Sequence, residues 1–411
     1  MQSLPGFRDF YPEDCARRNY ILTKWREVAR RYGFVEFDGP PLEAIELYKK
    51  KSGGELVGQL FDFVDKGERH VALRPEMTPT LARMVAARGR DFKKPLKWFC
   101  VPQFFRYEKQ QRGRLREFYQ LNCDIIGEAS PAADAEMIAV LIDTLRAFGL
   151  TENDFVVRLS DRDAWTQFAT SRGVAEERVL DFLTVIDKLE RDTPDQSVKR
   201  LGEFGVTLDA VRAFIADPSA EAAKLAGIRD DLRARGLATF IEIDLTIVRG
   251  LAYYTGLVFE VFDRSKNERA LAGGGRYDKL LHLMSDGKVD LPALGFGMGD
   301  VVLANLIDDT PAAAAQRDAW LKREHACDIY VVIAKEERRP DALALVQRLR
   351  DAGQRVDFPL TAAKVGKQFQ TAEQLGATRA VLVGDEWPQV KVKTLATREE
   401  RLVSPDDLAT A

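Results

Sequence analysis

Between Phe105 and Glu128 the chain reads FRYEKQQRGRLREFYQLNCDIIGE, a stretch dense in groups that can act on a charged ligand. Two strands joined by a basic loop are expected here. Successive side chains of a strand alternate faces. Phe104, Arg106 and Glu108 then share one face of the first strand, and Phe118, Gln120, Asn122 and Asp124 share one face of the second. The opposite parity, Tyr119, Leu121, Cys123 and Ile125, is apolar and belongs against a core. The loop carries Lys109, Arg112, Arg114 and Arg116 and no acid. Polar groups on a buried face are costly unless they bind something. Arginine, glutamate and an aromatic ring together suit a charged ligand with a ring, such as a nucleotide. The hairpin alone leaves a solvated face of an antiparallel sheet as the alternative.

Three further segments carry chemistry. LRPEMTPT spaces Arg74, Glu76 and Thr78 by two. VRGLAYYTG places Arg249 before the pair Tyr253–Tyr254. AGGGRYDKL is followed by LPALGFGMGD, ending at Asp300. Gly295, Gly297 and Gly299 alternate and so line one face of a strand. Such a stripe lets a flat ligand approach the backbone, or else marks close strand–helix packing. The spacing is not that of the dinucleotide fingerprint, and there is no Walker-type phosphate loop. A nucleotide site here must rest on antiparallel strands and arginine side chains.

The elements that position these groups follow from periodicity. An amphipathic helix is expected over residues 17–32, with Tyr20, Ile21, Trp25, Val28 and Ala29 on one face. Phe34–Pro41 reads as a strand, the segment ending at Glu76 as a strand end, and Thr78–Ala87 as a helix. From about Asp161 to residue 236 helical spacing predominates and marks an insertion. Strand character returns at Phe240 and continues through 253–262 and 294–299. Residues 309–324 read as a linker. The last module alternates strands (328–334, 355–358, 379–383, 390–395) with helices (340–352, 366–375), which implies a small α/β domain with a mainly parallel sheet.

At 411 residues the chain is too long for one core, and two or three domains are expected. A formal net charge of −3 means that any nucleic acid must be met by local basic patches. Four scattered cysteines and three scattered histidines argue against a disulfide scaffold, a structural zinc or a serine–histidine triad. A cation held by carboxylates and phosphate stays open, its ligands unknown. No apolar run reaches membrane-spanning length, and MQSLPGFRDFYPED is not a secretory signal, so a cytoplasmic location is expected.

Together these motifs, in this order, closely resemble the histidyl-tRNA synthetases, a class II aminoacyl-tRNA synthetase family, over nearly the full length. LPGFRDFYPED resembles the family's opening segment, and residues 31–43 resemble motif 1, which builds the dimer interface in this class. LRPEMT and the hairpin resemble the amino-acid loop and motif 2. VRGLAYYTG and GGGRYDKL resemble the two histidine-specific segments, and KVGKQFQTAEQLGA with VKVKTL resembles the anticodon-binding domain. The implied fold is an α+β catalytic domain on an antiparallel β-sheet with flanking helices, over residues 1–320 with a helical insertion at 161–236. An α/β anticodon-binding domain over 326–411 follows it.

The resemblance implies activation of L-histidine by ATP with Mg2+, transfer to tRNA(His), and a homodimer. It assigns Glu76, Thr78 and Gln120 to the histidine α-ammonium, and Asp124 and Tyr254, with Tyr253 beside it, to the imidazole. Arg106 and Arg249 would act on the α-phosphate as catalytic cations. Glu108 would meet the adenine amino group, Phe118 the adenine face and Arg114 the outer phosphates. Lys109, Gln111, Lys367 and Lys393, together with Lys364 and Lys391, are expected on tRNA.

Three positions depart from the family pattern. Val302 stands where motif 3 has an ATP-clamping arginine, Ala252 replaces an aspartate before the tyrosine pair, and Glu400 replaces a frequent glutamine. Arg114, Arg116 or Arg276 would then have to hold the ATP tail. The alternatives to an active ligase are a synthetase-like regulatory paralogue and a tRNA-sensing module without chemistry. An anticodon-like module argues against the first, and retention of Arg106 and Arg249 against the second.

Overall fold

Tyr20, Ile21, Trp25, Val28 and Ala29 are all buried on one face of helix Pro12–Arg31, as their spacing predicts. The computed structural model describes residues 2–51, 57–109, 111–189, 192–217, 223, 225–248, 253–265, 269–325 and 327–409. The chain falls into two compact units, Met1–Gln316 and Arg317–Ala411.

The described strands of the first unit are β1 (Val35–Glu36), β2 (Leu42–Ala44), β3 (Asp62–Val64), β4 (His70–Leu73), β5 (Leu96–Cys100), β6 (Gln103–Phe105), β7 (Glu117–Ile126), β8 (Phe155–Asp161), β9 (Ile241–Ile243), β10 (Thr255–Asp263), β11 (Ala272–Arg276) and β12 (Ala293–Gly299). Nine of them form one sheet in the order β1-β5-β7-β12-β11-β10-β8-β9, with β6 added on β7. Its pairs are antiparallel except β1–β5 and β8–β9. A small antiparallel sheet, β2-β4-β3, stands apart. Helix Pro131–Arg146 is buried along most of its length and packs on the sheet's apolar side.

Between β8 and β9 lie helices Arg162–Ser171, Val179–Asp187, Pro194–Gly202, Leu208–Ala216 and Ala226–Ala234. Trp165, Phe168, Phe182, Leu201 and Val211 give this segment a core of its own. Thr193 and Gln196 close a reciprocal cap at the start of the third helix.

In the second unit β13 (Ile329–Ile333), β14 (Val356–Asp357), β15 (Arg379–Val383), β16 (Val390–Thr394) and β17 (Glu400–Val403) form a sheet in the order β14-β13-β15-β16-β17. Two of its pairings are parallel and two antiparallel. The expectation of a mainly parallel sheet is therefore corrected. Residues 395–399 turn the chain back into β17, an antiparallel edge that helical alternation does not reveal.

Two other expectations change, and a segment with no expected element gains a strand. The strand over 34–41 shrinks to β1, because Pro40 and Pro41 have no N–H to donate to a ladder. The linker over 309–324 is a helix, Pro311–His325, whose alanine run favours helix without an amphipathic pattern. The glycine-rich AGGGR forms β11, held by ladders on both sides rather than by its own propensity.

Candidate active site

The site is built on the hairpin of β6 and β7. Phe104 pairs with Phe118, which puts the two rings on one face, and their centroids lie 5.8 Å apart. Arg106 lies just past β6, where its N–H donates to the Arg116 carbonyl at 2.9 Å. Its guanidinium sits 5.2 Å over the Phe118 ring and donates through Nε to the Pro75 carbonyl at 3.0 Å. That bond ties the hairpin to Glu76 and to Thr78, which opens helix Thr78–Arg88. Arg74 is a structural pin: buried, it donates to Asp38 Oδ1 at 2.8 Å and to the Gly39 carbonyl at 2.7 Å.

Leu121, Cys123 and Ile125 are buried in the core, whereas Tyr119 is only half-buried. On the other face of β7 the register sets Gln120 opposite Gly299, Asn122 opposite Gly297 and Asp124 opposite Gly295. The glycines make room for these side chains. A Cβ on Gly295 would meet Asp124 Oδ1 at 2.2 Å and the Cys123 carbonyl at 2.7 Å, and one on Gly297 would meet the Gln120 amide at 2.8–3.0 Å. Above Gly299 the space is open. Gly295→Ala is expected to lower stability by about 1–3 kcal/mol through overpacking. A thermal melt would check this.

Asp124 is buried and accepts a hydrogen bond from the Tyr277 hydroxyl. Burial, reinforced by the Asp124 charge, pushes the Tyr277 phenol well up, so it stays a donor. Tyr253 lies edge-on to Tyr277 at 6.2 Å and against Tyr254 at 4.6 Å. The structure thus brings Asp124, Tyr253, Tyr254 and Tyr277 into one polar and aromatic cluster. Tyr277 was not singled out from sequence, although it stands in GGGRYDKL.

Beyond Gln120 the groove widens into a cleft of about 290 Å³ lined by Arg106, Glu108, Arg114, Phe118 and Gln120. Arg114 Nε meets Glu108 Oε2 at 2.5 Å, and Arg106 approaches the same carboxylate at 4.0 Å. The opposite bank presents Glu260 and Arg269, and Val302 completes the wall. Glu260 and Arg269 carry no motif that the sequence could have flagged.

Arg116 and Arg276 do not line this cleft. Arg116 packs 4.2 Å over Tyr107 and donates to the Glu108 and Pro5 carbonyls. Arg276 is buried against Asp134 at 2.8 Å and the Ser130 carbonyl at 3.0 Å. Both are corrections to the expected clamp.

A buried brace also escaped notice. Arg8 binds Glu117 at 2.6 Å and Asp300 at 2.9 Å, and Asp300 accepts the Tyr119 N–H at 2.9 Å. It joins the opening segment, β7 and the helix that begins at Asp300. Burial pushes the Asp300 carboxyl up while Arg8 pulls it back.

Arg249 and Ala252 lie outside the described residues. Lys109 and Gln111 are exposed near the hairpin tip, where Gln111 and Arg114 close a tight turn. In the second unit Lys367 is exposed, and Lys393 pairs with Glu400 at 2.9 Å and lies 5.6 Å from the Phe369 ring. Among the described residues no cluster of three histidine, cysteine or carboxylate groups could cage a metal. Among them also, no helix is long and apolar enough to cross a membrane.

Comparison with known proteins sets this site in context. The profile described as histidyl-tRNA synthetase matches residues 6–300, and that of an anticodon binding domain matches 328–411. A histidine–tRNA ligase of Opitutus terrae is 46% identical, covering 97% of this chain and 95% of its own. A chloroplastic/mitochondrial histidine–tRNA ligase of Arabidopsis thaliana is 37% identical, covering 98% of this chain and 85% of its own. The crystal structure of histidyl-tRNA synthetase from Nostoc sp. PCC 7120 superposes with a TM-score of 0.78 at 25% identity, covering 100% of this chain and 98% of that one.

Proposed function

From a chain that belongs to the histidyl-tRNA synthetase family and is a histidine–tRNA ligase of class II fold, we propose that the hairpin cleft binds ATP and the Asp124 pocket binds histidine. The observation that carries this reading is the continuity of one strand face. Phe118, Gln120 and Asp124 follow one another along β7 over a glycine floor, spanning about 20 Å from aromatic wall to buried carboxylate. A mixed anhydride of an amino acid and a nucleotide fits such a groove end to end.

In this reading Glu76, Thr78 and Gln120 hold the α-ammonium. Asp124 accepts one imidazole N–H, and Tyr254 and Tyr253 flank the ring. Tyr277 holds Asp124 in place. The site leaves buried polar groups unpaired when a different amino acid enters, and such sites discriminate by about 10⁴-fold without editing.

Phe118 stacks on adenine and Glu108 accepts from its amino group. Arg106 and Arg249 neutralise the α-phosphate, so that the histidine carboxylate can attack an already anionic centre. Arg114 reaches the outer phosphates once it leaves Glu108. The bond from the α-phosphorus to the bridging oxygen breaks and pyrophosphate leaves. The terminal ribose hydroxyl of tRNA then attacks the adenylate carbonyl and releases AMP.

Magnesium would neutralise charge on the leaving pyrophosphate. One carboxylate plus phosphate oxygens suits that ion, and Glu260 on the cleft wall is the group that would hold it.

We further assign residues 1–320 to the catalytic domain, with 161–236 as its insertion, and 326–411 to the anticodon-binding domain. Lys367 and Lys393, with Lys364 and Lys391, are phosphate contacts to tRNA(His) there, and Lys109 and Gln111 meet tRNA at the hairpin. We infer a homodimer from the resemblance of residues 31–43 to motif 1. The enzyme works in the cytoplasm. The regulatory alternative is not favoured, because the anticodon-binding module is present and full-length relatives are ligases.

The test separates the two halves of the reaction. A chain ending at His325, shown to be folded by circular dichroism, is expected to keep histidine-dependent pyrophosphate exchange and to lose most charging of tRNA(His). Equal charging by the truncated and complete chains would sink the assignment of the second unit.

A further inference from the structure

Resting on the reading of the cleft as the ATP site, we propose that Arg269 is a second cation that grips the outer phosphates of ATP, from the bank opposite Arg114. No resemblance assigns it a role. Across the sheet run β7, β12, β11 and β10, with Asn122 opposite Gly297, Gly297 opposite Gly273, and Gly273 opposite Glu260. Two glycines thus floor a trough about 14 Å wide between the hairpin bank and the β10 bank.

The base-stacking group, Phe118, stands on the hairpin bank. Arg269 stands on the far bank, three residues before β11, and lines the same cleft. A nucleotide with its base on Phe118 and its tail across the glycines ends at Arg269 and Glu260.

Charge requires a cation at that end. A triphosphate brings several negative charges, and Glu260 on the same bank adds another. Val301 and Val302, also on the wall of the cleft, are apolar. On the hairpin bank Arg106 is tied to the Pro75 carbonyl and Phe118, beside the α-phosphate position, and Arg114 can meet the tail from that bank alone. Arg116 and Arg276 are directed elsewhere. The guanidinium fork of Arg269 suits two phosphate oxygens at once, and Glu260 on the same bank is the carboxylate that would hold magnesium.

The experiment compares Arg269→Ala, Arg269→Lys and Phe118→Ala in the full chain, with ATP and AMP as probes. ATP affinity is read from histidine-dependent pyrophosphate exchange and AMP affinity from competition. Arg269→Ala is expected to weaken ATP about 10–100-fold, the size of a lost charge-assisted pair, and to change AMP less than about twofold. Arg269→Lys should recover part of the loss, since it keeps the charge without the fork. The proposal is overturned if Arg269→Ala leaves ATP unchanged, or if it weakens AMP as much as ATP. Phe118→Ala keeps the two readings apart. It should weaken ATP and AMP alike. If it affects neither, the cleft is not the nucleotide site and the underlying reading fails. If it weakens both while Arg269→Ala weakens neither, only the role of Arg269 falls.

Discussion

Arg106→Ala is expected to lower histidine-dependent pyrophosphate exchange by about 10²–10³-fold in a protein that still folds, the usual loss when one fixed charge at a developing anion is removed. The geometry explains why this guanidinium is hard to replace. Its Nε is anchored on the Pro75 carbonyl and its guanidinium lies over Phe118 on the lining of the cleft, so it is placed before ATP arrives. Lysine at 106 keeps the charge but not the anchored plane, and it should recover only part of the rate. In the proposed mechanism two cations share the α-phosphate, so Arg249→Ala is expected to lose a similar factor. The deciding measurement is exchange at saturating ATP and histidine, with a thermal melt to exclude unfolding. Exchange at the unmodified rate in either alanine variant would remove that arginine from the mechanism.

Asp124→Ala should raise the histidine concentration for half-maximal exchange by about 10²-fold or more while the ATP dependence stays nearly unchanged. The carboxylate is buried, so water cannot stand in for it as an acceptor without rearrangement. The substitution also strands the Tyr277 hydroxyl, at a cost of about 1–3 kcal/mol in stability. Asp124→Asn is the useful companion. It keeps an acceptor for Tyr277 and loses only the charge, so a large histidine effect with a normal melting temperature isolates recognition from folding. Steady-state titrations of both substrates decide the matter. An unchanged histidine dependence in Asp124→Ala would mean that the imidazole is read elsewhere.

Much of this site was legible before any fold was known. Alternation along 118–124 put Phe118, Gln120 and Asp124 on one face because strand geometry leaves no other choice. The alternating glycines at 295, 297 and 299 were legible as a stripe, and their register against Gln120, Asn122 and Asp124 explains it. The stripe clears space for β7 side chains as well as for a ligand. Periodicity likewise identified the buried face of the first helix and the helical character of the insertion, since both signals are local.

What a sequence determines by itself is what depends on near neighbours in the chain: parity, helical faces, turn residues and the order of motifs. It carried those for this protein, and with the order of its motifs the resemblance to its family. The tertiary structure alone decided what depends on partners far apart. Arg276 and Arg116 bear the right charge in the right motifs, yet Asp134, Tyr107 and backbone carbonyls claim them, because buried cations go where acceptors meet them. Arg269 and Glu260 sit in segments with no motif at all, and only the pairing of β10, β11, β12 and β7 brings them to face Phe118 across a floor of glycines. The brace from Arg8 to Glu117 and Asp300 spans separations of 109 residues and more, a distance over which no pattern in a single chain reports contact.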